Sequence, residues 1–148
     1  MKYGFVIPGG DIPTVAELAA EAEAAGWDGV FIPDCIAIET ASVPPGPTYD
    51  PWVVLAVMAT RTEHVRIGTM LTAPSRRRPW KLARETMSVD HVSSGRLILA
   101  VGLGAAADDG GFYKVGEAMD LKVRAQMLDE SLEVLAGLWS GQPLTFHS

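Results

Sequence analysis

Four short apolar runs, each followed by a segment of helical periodicity, constrain this chain more than any other feature. The runs cover residues 3–7, 29–32, 65–70 and 97–101 and are partly β-branched, as expected of short strands buried on both faces. Thr14-x-x-Glu17 reads as a capping box, and Val15, Leu18, Ala19, Ala22 and Ala25 share one helical face before Gly26. Asp50-Pro51 supplies an N-cap and a first-turn proline to a second helix with the stripe Trp52, Leu55, Ala56 and Ala59. A third helix starts at Pro79, turns Leu82, Ala83, Thr86 and Met87 inward and ends before Gly95; a fourth carries Val123, Met127, Leu128, Leu132, Leu135 and Trp139 up to Gly141-Gln142-Pro143. A β-α unit repeated four times predicts an α/β fold with parallel strands and right-handed crossovers. The periodicity fits an open doubly wound sheet and part of a (β/α) barrel alike. In both, ligands gather at the C-terminal ends of the strands, which directs attention to residues 8–11, 33–47, 71–78 and 102–120.

Composition narrows the partners. A chain of 148 residues, 48% of them hydrophobic, suffices for a single domain over 1–148. Its net charge of -6 argues against nucleic acid or an anionic membrane surface, whose affinity comes from Lys and Arg against phosphates. No apolar run approaches the roughly 20 residues of a membrane helix. One cysteine, Cys35, and the lack of a basic segment followed by a long apolar stretch at the N-terminus lead to an expectation of cytoplasmic residence. His64, His91 and His147 have no metal-site spacing, so no metal is expected.

The segment "AVGLGAAADDGG" (100–111) contains Gly102-Leu103-Gly104-Ala105-Ala106-Ala107, which fits G-x-G-x-x-A. A dinucleotide fingerprint belongs after a first strand, opens a helix and precedes an acid at the end of the next strand. This one follows the fourth strand and runs into Asp108-Asp109-Gly110-Gly111, a loop signature. The better reading is that Gly102 and Gly104 let a strand end pass close to a flat ligand or a neighbouring backbone.

"GWDGVFIPD", "DPW", "VRIGTMLTAPSRRRPWKLARE", "SSGRLILAVGLG" and "RAQMLDESLEVLAGLW", taken together and in this order, resemble the luciferase-like flavin-dependent monooxygenases. The resemblance implies a TIM barrel with FMN or coenzyme F420 at its C-terminal face, and covers the N-terminal (βα)4 half of it. It also implies site residues. Asp34-Cys35 stands where the family generally has an acid followed by a histidine near the flavin, so both are candidate catalytic residues; the cysteine could donate a hydrogen bond or act as a nucleophile, or be a small buried hydrophobe. Thr69, Met70 and Leu71 end the third strand, where the family often holds a non-proline cis peptide under the flavin ring, expected near Met70-Leu71, with a plain buried strand end as the alternative. Gly102, Leu103 and Gly104 would line the cofactor, and Arg124 would contact its phosphate. The competing reading of Arg124, pairing with Asp129 or Glu130, has poor helical spacing. Arg76, Arg77 and Arg78 read as solvated, with anion binding as the alternative.

The expected activity is that of a flavin- or F420-dependent oxidoreductase or monooxygenase acting on a small organic substrate. The alternative is a non-catalytic half-barrel. The loop over 36–48 is expected to cover the site. With Phe5, Ile7, Val30, Ile32, Ile67, Leu97 and Leu99 taken as facing the barrel interior, a half-barrel would expose them, and a homo-oligomer, most simply a dimer joined near the first and fourth strands, is expected.

Overall fold

A computed structural model describes residues 1–36, 47–105 and 112–147. Eight main elements alternate: β1 (Gly4–Val6), α1 (Ile12–Ala24), β2 (Gly29–Ile32), α2 (Pro51–Arg61), β3 (Arg66–Thr72), α3 (Pro79–Val92), β4 (Leu97–Val101) and α4 (Leu121–Trp139). The strands form one parallel sheet in the order β1-β2-β3-β4. Each new strand adds beside the last, as in a barrel wall; a doubly wound sheet would reverse direction at a switch point.

The helix ends follow local chemistry. The Asp11 carboxylate accepts the Thr14 amide at 2.8 Å, so α1 is capped by Asp11 and not by Thr14. Thr14 lies inside the first turn, and Pro13 takes an early position that needs no amide partner. Asp50 caps α2 through the Trp52 amide at 2.9 Å, as the Asp50-Pro51 pair predicts. Asp120 caps α4 by accepting from Lys122 and Val123. By contrast α3 begins at Arg78 without a side-chain cap.

Val30, Ile32 and Ile67 form the centre of the core with Ile7, Leu55, Met58, Leu82 and Leu135, and Leu97 and Leu99 pack against them. This places the large residues expected inside the barrel on the opposite, helix-covered face. Side chains alternate along a strand, and the register Phe5↔Val30↔Ile67↔Leu97 keeps that set together. Phe5 shares the face but sits at the edge, half exposed, its ring 5.6 Å from that of Trp27. The uncovered face presents Val6, Phe31, Met70 and Ile98 instead, with Val6 at 45%, Met70 at 50% and Ile98 at 39% exposure.

Three helical faces also differ from the periodic reading. On α1, Leu18 and Ala25 are exposed and Ala16 is buried. Met87 is exposed on α3, where Val89 is buried. On α4, Val123, Leu132 and Trp139 are largely exposed, and the buried residues are Arg124, Ser131 and Leu135. The inner side of α4 faces α3 and the 3-10 turn Pro74–Arg76 beyond β3, so it carries polar groups that serve the strand ends.

The N-terminal end of the sheet is held by two polar clamps. Arg96, directly before β4, is buried and donates to the Ala59, Thr62, Val65 and Ser93 carbonyls and to Thr62 Oγ1. It closes the C-terminus of α2, where a cation meets the negative end of the helix dipole. Glu23 accepts the amides of Glu63, His64 and Val65 and so fixes the turn into β3. Burial opposes its charge, yet these three amides outweigh it and hold its pKa below the usual glutamate value.

Candidate active site at the C-terminal strand ends

Asp34 follows β2 and its side chain is 1% exposed. Arg77 grips it through two parallel bonds, Nε to Oδ2 at 3.2 Å and Nη2 to Oδ1 at 2.8 Å. Arg76 reaches the same carboxylate at 3.2 Å and also donates to the Asp34 carbonyl. The forked geometry makes this a strong, orienting pair. Burial works against the charge on Arg77, and Asp34, Asp50 and Glu85 more than offset it, so its pKa is raised. Arg77 lies 3.7 Å from both Asp50 and Glu85 and stacks over Trp52 at 5.8 Å. Hence Arg76 and Arg77 are not solvated arginines: they bind a carboxylate of their own chain, and only Arg78 of the run stays exposed.

Cys35 is half-buried and helps to wall a cavity of about 340 Å³ between the ends of β1 and β2 and the first turns of α1 and α2. Apolar side chains dominate its lining, among them Ile7, Val15, Ile32 and Val54, with Asp11, Cys35, Thr48 and Tyr49 as polar members. Residues 37–46, the greater part of the expected covering loop, lie outside the described residues.

The peptide bond between Met70 and Leu71 is cis, at the position expected from the sequence. Here β3 bulges against β4, since Thr69 pairs with Leu99 and Thr72 with Val101. Thr69 is fully buried and its hydroxyl shares a 2.8 Å hydrogen bond with that of Thr72. The side chains of Met70 and Leu71 are left partly exposed as an apolar ledge. Beside them the Gly102 amide donates to the Thr72 carbonyl, and a Cβ at Gly102 would meet the Leu71 side chain at 2.9 Å. Gly104 has φ +70°, a conformation that favours glycine. Residues 106–111, the rest of the glycine-rich segment, lie outside the described residues.

Arg124 is buried at 5% exposure, and its Nη1 donates to the carbonyls of Leu103 and Gly104 at 2.6 and 2.9 Å. Its guanidinium lies over the Phe112 ring at 5.5 Å, with Arg76 over that ring at 5.3 Å. Among the described residues Arg124 Nε is buried without a partner. The arginine therefore supports the loop after β4 from behind, and does not pair with Asp129 or Glu130.

The site thus brings Asp34, Cys35, the cis Met70-Leu71 bond and Gly102–Gly104 to one end of the sheet, with Arg124 beneath. Sequence reasoning missed Phe112 and the pairing of Arg76 and Arg77 with Asp34. The available signal was the basic run itself, which follows one strand while an acid follows its neighbour in the sheet. Among the described residues, no group of three or more His, Cys, Asp or Glu is placed to hold a metal, and no helix is long and apolar enough to cross a membrane.

A βα barrel wall whose strand ends carry these groups defines a class, and comparison with known proteins places the chain in it. The sequence profile of the luciferase-like monooxygenases matches residues 4–148, and the chain belongs to that family. Among curated relatives, the F420-dependent glucose-6-phosphate dehydrogenase of Nakamurella multipartita is 31% identical over 135 residues, covering 90% of this chain and 38% of that protein. Among solved structures, an F420-dependent secondary alcohol dehydrogenase bound to an F420-acetone adduct superposes with a TM-score of 0.82 at 26% identity, covering 100% of this chain and 46% of that one. The FMN-bound oxygenating constituent of 3,6-diketocamphane monooxygenase from Pseudomonas putida gives 0.80 at 23% identity, over 100% of this chain and 41% of its own, a likeness of fold. The chain spans less than half the length of each of these three proteins.

Proposed function

We propose that the chain is the cofactor-bearing N-terminal part of a flavin- or F420-dependent oxidoreductase of the luciferase-like type, acting on a small organic substrate. The observation that carries this reading is the convergence of Cys35, the Met70-Leu71 ledge and the close-approach glycines at the C-terminal end of one parallel sheet. That is where ligands bind in βα barrels. The residues fit a planar ring: Met70 and Leu71 offer a partly exposed apolar surface, and the backbone at Gly102–Gly104 has no bulky side chain on either glycine.

The bound FMN or F420 would supply the redox chemistry. This chain's residues would orient and shelter it. Arg124 fixes the carbonyls of Leu103 and Gly104, so its part is to position the glycine loop. Asp34, gripped by Arg76 and Arg77, holds the turn that carries Cys35, which lines the cavity together with the hydroxyl-bearing Thr48 and Tyr49. One cysteine and an acidic composition fit a cytoplasmic enzyme.

Titrating the chain with FMN and with F420, followed by flavin or deazaflavin fluorescence, tests the reading. Saturable binding in the micromolar range is expected for one of them. Failure to bind either at high micromolar concentration would overturn the reading for this chain alone. It would favour a non-catalytic half-barrel, which the commitment of Asp34 and Arg124 to internal contacts supports.

A further inference from the structure

We propose that the cavity beside Cys35 takes a neutral, largely apolar small molecule and excludes anions, with Asp11 as the residue that sets this preference. The inference rests on the reading of these strand ends as the substrate face, and it names the substrate class. Two helix N-termini border the cavity, those of α1 and α2. Helix N-termini ordinarily attract anions through free amides and the helix dipole. Here each is already closed by a carboxylate of this chain: Asp11 accepts the Thr14 amide and Asp50 the Trp52 amide. The Thr14 amide also holds the Asp11 pKa below its ordinary value, so that the carboxylate stays charged.

Among the described lining residues there is no Lys, Arg or His, and Asp11 is the charged member. Arg77, which approaches the α2 cap Asp50, is committed to Asp34. An entering carboxylate or phosphate would meet the solvent-exposed Asp11 carboxylate and apolar walls, with no compensating cation among the described lining residues, which is unfavourable on both counts. A neutral molecule meets apolar walls built from Ile7, Val15, Ile32 and Val54. A volume of about 340 Å³ accommodates a single ring or a short chain.

Because Cys35 is the only cysteine, its alkylation by N-ethylmaleimide reports on occupancy of the cavity. The probes are benzyl alcohol and benzoate, alike in size and different in charge. Benzyl alcohol is expected to slow alkylation in a saturable way, with benzoate about tenfold weaker, the scale of one repulsive charge near a protein surface. Asp11→Asn keeps an N-cap oxygen, because asparagine caps as well as aspartate, and removes the charge. In that variant the gap between the two probes is expected to narrow, with circular dichroism confirming the fold. Equal protection by both probes in the unmodified chain, stronger protection by benzoate, protection by neither, or a gap unchanged in Asp11→Asn would each overturn the proposal. Cofactor titration of the same samples separates this outcome from failure of the oxidoreductase reading.

Discussion

Asp34 shows how a residue's neighbours change what its chemistry is for. An acid after the second strand suggests proton transfer when read alone, but with two arginines on its oxygens and 1% side-chain exposure it is a buried anchor. Breaking a buried pair on one side leaves uncompensated charge, so Asp34→Asn is expected to destabilise the chain by about 3 kcal/mol, read from the urea midpoint. Glu23 gives a prediction with a sign in pH. Its folded pKa is depressed, so its contribution is present above the unfolded glutamate value of about 4.3 and is lost as pH falls through the lower folded value. Glu23→Gln is expected to cost about 1.5 kcal/mol at pH 7, the low end for a charged acceptor because solvent reaches it. The difference between the two proteins should shrink as pH is lowered through that folded value, on comparing chemical denaturation at pH 7 and along an acid series. An unchanged difference at low pH would show that the three amides do not hold the carboxylate's charge.

Gly68 and Gly102 lie on paired strands, or just past their end, yet resist side chains for different reasons. A Cβ at Gly68 would stand 2.1 Å from the backbone oxygen of Ile98, whereas one at Gly102 would meet only the Leu71 side-chain end at 2.9 Å. Backbone in a paired strand cannot step aside without opening the ladder between β3 and β4. Gly68→Ala is therefore expected to cost about 3 kcal/mol, and Gly102→Ala about 1 kcal/mol, the upper and lower ends of overpacking; equal thermal shifts would refute the contrast. Element order, strand positions and the start of α2 were legible because apolar periodicity and the Asp50-Pro51 pair are local signals. The cis bond at Met70-Leu71 was legible only through the family resemblance. The strand faces were not, because parity in a strand buried on one side by helices gives the same short apolar run whichever way it points. Nor were Arg96 and Glu23, whose partners lie 31 to 37 and 40 to 42 residues away for Val65, Thr62 and Ala59 and for Glu63 to Val65 respectively.

At the scale of the whole molecule the uncovered face decides behaviour in solution. Val6, Met70 and Ile98 are exposed on it, and β1 and β4 each end the sheet among the described residues. Apolar surface and open strand edges both favour association. We propose that two copies of this 148-residue chain pair near β1 and β4, through Val6 and Ile98, which leaves the Met70-Leu71 ledge to the cofactor. Light scattering coupled to size exclusion is expected to give a dimer mass at micromolar concentration; a stable, folded monomer would exclude the pairing. The order β1-β2-β3-β4 bears on a different matter, the birth of the chain. Every strand lies beside its predecessor in sequence, so a ribosome releases each βα unit next to a surface already made. Each pairing still spans 25 to 37 residues, from Gly4↔Gly29 to Gly29↔Arg66, and parallel pairing of that kind forms slowly, while N-terminal parts settle first during synthesis. The β1-α1-β2 segment can thus serve as a template onto which translation lays the later strands one at a time.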